Sequence, residues 1–559
     1  MRTKIVFGGL TIALLVSTSA FAQVKDPGYL EYDGGSTLLT GTAFDGGVSA
    51  AGPRATLTGT GGSVLQVFQG ITQYDAAALS RNFIPPDTMG AVGTTQFVEI
   101  LNGAVAVYNK SNGSVASLQS DVAFWAAAGQ TGTQGDPRIL FNASLNRWVA
   151  TAFGNSVSDI QIAVSNTADA TGGWTSTKFT GYAGSGFGGG IADYATLAMD
   201  KNAIYIGTND FGNASATATS ASFQGTTLNV IPLSDVFHAG GPIATNNVQF
   251  FTAYTGGATD DFTRGFAIQG VNNSDRAGTT GRTLSVSFQA NALTSYDITN
   301  AGTATTARGT ATDFIAVSDY KVNSAARQPS GFNGLSSQIV DAGDDRVGSS
   351  VTEVNGRIYA VHTVTPIGGN YTVVRYSVVD AVTKTILSEG DIGTAGHDYY
   401  YGSIAVNAFG QVVISYDRSG AGADGAITVM ARTFDTTATG GLTPTSAELT
   451  IKVSDVNDYH NGSAELVAPA GRQRFGDYSA ITVDPTDPNK FWLVGEYATF
   501  WNNPAGGHPT GTGGSRWATV IAEIQADAVP EPATWAMMIV GFGMVGAAAR
   551  RRRPATLTA

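Results

Sequence analysis

A chain without cysteine must draw its chemistry from oxygen and nitrogen side chains, and the recurrent one here is aspartate. Asp87, Asp136, Asp193, Asp345 and Asp477 each stand just before a short apolar run. Five carboxylates gathered on one face could hold a cation or a polar ligand. The same five could be turn residues, each accepting N–H bonds from its own loop. Repetition favours the turn, because a catalytic site breaks a repeat and a fold determinant follows it. Two other oxygen-rich loops, Asp341/Asp344/Asp345 and Asp484/Asp487/Asn489, offer the ligand type for Ca²⁺ without EF-hand spacing, and read as solvated turns. The histidines His238, His362, His397, His460 and His508 are scattered, with no H-E-x-x-H pair. There is no G-x-S-x-G elbow, and the Gly181–Gly190 loop lacks the Lys-Ser/Thr of a phosphate loop. No catalytic residue is assigned, and no cofactor is expected apart from a weak case for Ca²⁺.

Hydrolysis of an acidic sugar would need arginines for the substrate carboxylate, a tyrosine–glutamate pair and an acid. Arg138, Arg264, Arg346, Arg375, Arg418, Arg432 and Arg474, with Tyr401, Glu353 and Glu496, supply the types, but no spacing ties them together. The stretch Ser165-Asn166-Thr167-Ala168-Asp169-Ala170-Thr171-Gly172-Gly173-Trp174 resembles the Asp-box of sialidases. It departs by two extra residues between Ser165 and Asp169, and in that family the box is structural and remote from the active site. Tyr399, Tyr400, Tyr401, Tyr497, Trp501 and Trp517 would stack on sugar rings if one face gathered them; singly they read as packing. The expectation is a non-catalytic protein that binds a glycan or another protein through its loops. A sialidase-like hydrolase or lyase is the alternative.

One unit of structure recurs beneath these residues: a turn, a short apolar strand, a second turn with Asn, Asp or Gly, and another apolar or aromatic strand. It begins near residues 86, 136, 193, 264, 345, 401 and 476. Each unit alternates with strand period around its turn, and most are followed by a further strand pair such as Ile160–Val164 or Ile427–Thr433. Four strands per unit predicts an all-β chain, a β-propeller of about seven four-stranded blades over residues 81–526. A pair of β-sandwiches is the other architecture that fits short strands. Residues 23–80, rich in Gly, Thr and Ser, read as a leader. The body also resembles a family of secreted bacterial propeller-like proteins. The likeness rests on Pro86-Asp87-Thr88, Gly135-Asp136-Pro137, Arg147-Trp148, Arg474-Phe475-Gly476-Asp477-Tyr478-Ser479, Phe491-Trp492 and Glu496-Tyr497. Phe475 stands where relatives usually carry Trp. That family has no settled activity, so the resemblance implies a fold only.

The two ends are addresses. Residues 1–22 read as a signal peptide for Sec export: Arg2 and Lys4, an apolar core from Ile5 to Val16, and the cleavage residues Ala20 and Ala22. In residues 527–559, Pro530, Glu531, Pro532, Trp535 and Ala536 precede an apolar run from Met537 to Ala549, and Arg550, Arg551, Arg552 and Arg553 follow it. The run is read as a single transmembrane helix, shorter than a comfortable span of about 20 residues. The arginines should hold its end in the cytoplasm. This tripartite tail is similar to the PEP-CTERM sorting signal of Gram-negative bacteria, in its Trp-Ala variant. The resemblance implies an exosortase as partner, transient anchoring in the inner membrane, cleavage near Pro530–Pro532, and a mature protein at the outer surface or beyond, in species that make extracellular polysaccharide.

Composition agrees. The 559 residues carry 43 acidic and 31 basic side chains, a formal charge of −12. Setting aside two cations in the signal, and four arginines and one glutamate from Val529 onward, the rest of the chain stands at −17. That sign argues against nucleic acid as a partner. A hydrophobic share of 43% is enough for a large core.

Overall fold

The computed structural model describes residues 37–38, 61–132, 135–154, 159–181, 191–212, 222–237, 243–252, 265–273, 280–287, 291–309, 313–322, 325–329, 339–457, 459, 472–500 and 515–526. Both terminal signals lie outside them, including Ala20, Ala22, the motif Pro530–Ala536 and Arg550–Arg553. So do Arg264, His238, His460, His508 and Trp501.

The described chain is mostly strand, with three short helices, Gln73–Ala78, Asp121–Ala128 and Leu233–Val236. Antiparallel sheets follow one another along the sequence. The first is Met89–Val92, Gln96–Leu101, Ala104–Asn109 and Val115–Ser120, and the second Gly135–Asn142, Arg147–Phe153, Asp159–Ser165 and Trp174–Thr180. In the third, Ile191–Asp193 and Ala198–Met199 share the first position against Ala203–Gly212, with Ser222–Pro232 and Gln249–Thr252 beyond. The fourth runs Phe266–Asn272, Gly281–Val286, Ala292–Ser295, Asp313–Ala316. The fifth is Val351–Val354, Arg357–Pro366, Val373–Asp380 and Ile386–Ile392. The sixth is His397–Val406, Gln411–Gly420 and Thr428–Thr436, with Leu442–Pro444 and Leu449–Val453 sharing its edge.

The seventh sheet takes only Ala480–Val483, Lys490–Phe500 and Ser515–Gln525 from its own stretch of chain. Its fourth strand is Ser63–Thr72, paired antiparallel with Ser515–Gln525 from Ser63↔Gln525 to Thr72↔Ala518. The sequence boundary at residue 80 had put this strand in the leader. Its residues alternate half-buried and buried from Ser63 to Gly70, and Val64, Phe68 and Ile71 are each at most 3% exposed. The Gly/Thr/Ser composition of the preceding residues hid a strand-period pattern at their end.

Burial grades steeply across the first sheet. Every residue of Met89–Val92 and Gln96–Leu101 is buried, while none of Val115–Ser120 is. Strands covered on both faces read as continuous apolar runs, which is why the first strands stand out in the sequence. Successive sheets are joined by hydrogen bonds near these first strands. Asp136 N–H donates to Asn102 Oδ1, Arg138 to the Ala195 carbonyl, Met199 N–H to Asn272 Oδ1, and Asn272 Nδ2 to the Val351 carbonyl. Tyr399 N–H donates to the Thr372 carbonyl, and Ile481 N–H to Ser403 Oγ. The seventh sheet is bonded back to the first, through Thr88 N–H to Glu496 Oε1 and Val92 N–H to Thr482 Oγ1. Among the described residues no single sheet closes on itself; the fourth and fifth share one short parallel contact, Val271↔Val351.

Packing at the seams is tight. Trp492 of the seventh sheet stacks on Phe97 of the first at 5.9 Å and meets Phe68 edge-on at 6.3 Å. Gly207 lets the third sheet approach the fourth, where a Cβ would collide with the Ile268 carbonyl.

Candidate functional site

Most of the first strands are entered through a left-handed residue. φ is +52° at Asp87, +49° at Asp136, +55° at Tyr194, +51° at Ala267 and +48° at Tyr401. Such a conformation costs of order 1–3 kcal/mol in a bulky residue and less in Asp. The feature that recurs is therefore a backbone turn, not a carboxylate: in the third sheet the position belongs to Tyr194, one residue past Asp193. Two asparagines seat these turns, Asn102 bridging the first two sheets. Asn102 accepts from Asp136 N–H at 3.0 Å and donates to Asp87 Oδ2 at 2.6 Å, and Asn209 accepts from Ala267 N–H at 2.8 Å.

The remaining aspartates do other work. Asp193 pairs across the ladder with Asn209. Asp345 Oδ2 accepts from Tyr320 O–H at 2.7 Å, and its carbonyl lies 3.0 Å from His362 Nδ1. Asp477 is ion-paired with Arg474 at 3.1 Å. In the loops considered for Ca²⁺, Asp341 faces Arg474, Asp344 bonds Arg346, and Asp484 is paired with Lys110 at 2.7 Å. Among the described residues, no group of three or more His, Asp or Glu is placed to hold a metal ion.

Beyond the turns the sequence's scattered arginines do meet. Arg138 reaches from the second sheet to the Gly348 carbonyl at 2.8 Å and the Ala195 carbonyl at 3.2 Å. Its guanidinium lies 3.6 Å from the Tyr478 ring centroid and 5.0 Å from that of Tyr194, and the two rings meet edge-to-face at 5.5 Å. One side chain thus touches the second, third and seventh sheets and the loop entering the fifth. Arg346 lies over Tyr194 at 4.4 Å and Phe266 at 5.0 Å. Tyr401 O–H donates to the Asp341 carbonyl at 2.6 Å. Burial pushes the hydroxyls of Tyr194, Tyr401 and Tyr478 well above their usual range. Beside this layer a cavity of about 20 Å³ is lined by Arg346, His362, Tyr401 and Tyr478, room for a water molecule and not for a sugar ring.

Glu496 has the raised carboxyl expected of a general acid: burial pushes it well up, and neighbouring Asp87 adds to the effect. It accepts from Thr88 N–H and packs against Gly476, and it lines none of the described cavities. The other sequence candidates are apart. Arg375 is paired with Asp391 at 2.7 Å, Glu353 with Arg282 at 2.8 Å, and Arg432 bonds the Ser446 carbonyl. Tyr399, Tyr400, Tyr401, Tyr497 and Trp517 are all buried, so they form no stacking platform. The box-like turn is a staple: Gln96 of the first sheet donates to Asp169 Oδ1 at 2.8 Å and accepts from Ala170 N–H at 2.8 Å.

Further along the same strands a cavity of about 350 Å³ opens. All seven sheets or their adjoining turns line it, from Val92, Asn142, Met199 and Asn272 to Thr352, Val406 and Thr482. Sequence reasoning missed it, because its walls are the ends of strands from seven separate units. It also missed Glu99, 0% exposed, which accepts from Ile71 N–H at 2.9 Å and Tyr108 O–H at 2.8 Å. A lone glutamate inside the apolar run Gln96–Leu101 was the available signal.

Residues 528–553 match the family described as the PEP-CTERM protein-sorting motif. The motif implies an exported chain, anchored in the membrane before an exosortase processes it. Among the described residues no helix is long and apolar enough to cross a membrane, and the run Met537–Ala549 lies outside them. No curated protein matches the chain. Among solved structures, a protein of unknown function from Dyadobacter fermentans is 13% identical over 79% of this chain and 95% of its own, with a TM-score of 0.34. A cobalt-substituted Synechocystis apocarotenoid oxygenase is 9% identical over 66% and 71%, with a TM-score of 0.38. The catalytic domain of a Coprinopsis cinerea GH62 α-L-arabinofuranosidase is 10% identical over 61% and 85%, with a TM-score of 0.28. Likenesses this distant carry no inference about the present chain.

Proposed function

We propose that the protein is an exported, exosortase-processed component of the cell surface or extracellular matrix, whose body is a seven-bladed β-propeller that binds a glycan or protein without transforming it. The sorting motif supports the export half of this reading. Sec export, transient residence in the inner membrane and release toward extracellular polysaccharide complete it. The propeller is supported by the order of the sheets, each bonded to the next and the seventh bonded back to the first. Ser63–Thr72 would then be the strand that closes the ring.

The observation that carries the non-catalytic reading is the state of the arginine–tyrosine layer. Arg138, Arg346 and Arg474 meet near one another, as a hydrolase of acidic sugars would require. Each is engaged with protein carbonyls, carboxylates or rings, and the adjoining cavity admits only water. A substrate carboxylate would have to displace these contacts. Incubation of the mature protein with bacterial exopolysaccharide tests the reading. Retention without release of new chain ends is expected. Turnover that is abolished by Glu496→Gln or Asp477→Asn would overturn it.

A further inference from the structure

We infer that the 350 Å³ cavity is a binding site for a neutral saccharide, one or two sugar rings of a longer chain. The inference rests on the non-catalytic reading above and names its ligand and site. The size falls within the range of small-ligand pockets, about 300–1,000 Å³. The lining mixes amide, hydroxyl and apolar groups in the way a ring with equatorial hydroxyls and C–H faces would need.

Charge on the walls is balanced inside the protein. Asp484 is held by Lys110 and by Trp492 Nε1 at 3.0 Å, and Glu353 by Arg282. Asp200 accepts from the backbone N–H of Asn202 and Ala203 and from Tyr205 O–H at 2.8 Å. With Lys110 and Arg282 behind the wall and exposed Lys201 on it, the three carboxylates are matched by three cations, so neither a cationic nor an anionic ligand meets a surplus of opposite charge. Ser350 and Thr352, by contrast, are half-buried at the wall, and their hydroxyls make no hydrogen bond within the described residues. Asn142 Nδ2 is spent on the Met199 sulfur at 3.2 Å, a weak acceptor that a sugar hydroxyl would outcompete. Phe141 is half-buried on the same wall, fixed at 4.7 Å against Trp148, and can offer a ring edge or face to sugar C–H groups. A rigid, neutral, partly apolar cavity with unused hydroxyls selects for a ligand that is itself neutral and hydroxyl-rich.

The test is titration calorimetry of the mature full-length protein with neutral mono- and disaccharides (glucose, galactose, mannose and their disaccharides), with sodium glucuronate as the charged comparison. Saturable binding of a neutral sugar is expected, at least 10-fold weaker for glucuronate. Ser350→Tyr, which fills the cavity, should weaken binding at least 10-fold with an unchanged melting temperature. Thr352→Ala, which removes one hydroxyl and adds no bulk, should weaken it several-fold, and serves if Ser350→Tyr fails to fold. Wild-type affinity in well-folded Ser350→Tyr would overturn the site. Retention by exopolysaccharide with no binding of any neutral sugar would overturn this inference and leave the binding reading intact. Loss of both would overturn both.

Discussion

The guanidinium of Arg138 lies 3.6 Å from the ring centroid of Tyr478, across a seam that joins sheets more than 300 residues apart in the chain. Arg138 is 3% exposed, and among the described residues it forms no ion pair. Its charge is balanced by two backbone carbonyls and two aromatic faces. A desolvated cation–π contact is worth about 2 kcal/mol, and each carbonyl left without a partner costs about 1–3 kcal/mol. Arg138→Met should therefore destabilise the protein by roughly 3 kcal/mol in urea unfolding, and Arg138→Lys should not rescue it, because the fork geometry is lost. Unchanged stability with lost ligand affinity would instead make Arg138 a binding residue.

Glu99 should give the fold a pH dependence. Burial pushes its carboxyl up to about 7, from an ordinary 4.5, against the bonds from Thr519, Ile71 and Tyr108. In the unfolded chain the carboxyl ionises near 4.5, so between there and about 7 the folded state binds more protons. The contribution of Glu99 is thus fully present below about 4.5 and is lost as pH rises through about 7, a change of order 3 kcal/mol. Urea midpoints of wild type and Glu99→Gln, compared from pH 4.5 to 8, should diverge over that interval in favour of the glutamine. Parallel profiles would contradict the assignment.

The strand Ser63–Thr72 should be indispensable. Burying Val64, Phe68 and Ile71 contributes about 1.5–3 kcal/mol each as an upper estimate, so the strand rivals a typical net stability of 5–15 kcal/mol. A chain beginning at residue 61 should unfold cooperatively. One beginning at residue 81 should lose most near-ultraviolet circular dichroism or aggregate. Equal melting temperatures for the two would show that the strand is dispensable.

For sorting, Pro530→Ala or Glu531→Ala should leave the full-length chain in the inner-membrane fraction, detected by its intact mass. Normal processing of both variants would count against an exosortase as the processing enzyme.

How much of this was legible in the sequence depended on range. Hairpins such as Ile139–Leu140 with Val149–Ala150 declare themselves within about a dozen residues, through strand-period alternation and a turn at Asn146. The terminal motif is equally local. In the third sheet Asp193 has the composition of a turn, but the left-handed residue is its neighbour Tyr194. Relationships that span the chain left no local trace. Ser63 and Gln525 carry no mark of their pairing. Arg138, Arg346 and Arg474 share no spacing, and their meeting follows from where the sheets turn. The saccharide cavity belongs to no single unit, so no single unit announces it.

The pairing of Ser63 with Gln525 has a further consequence, for timing. On the export route proposed above, Ser63–Thr72 would cross early and wait, one edge open, for a partner more than 440 residues behind it. That partner, Ser515–Gln525, emerges just before the sorting tail. The body would then complete itself only when almost all of it is outside, as the tail arrests the last segment. A pause at the membrane would hold the chain by one end while its two distant strands find each other. Because both strands lie within the same sheet, cutting the tail afterwards would remove the tether without removing either strand from the fold.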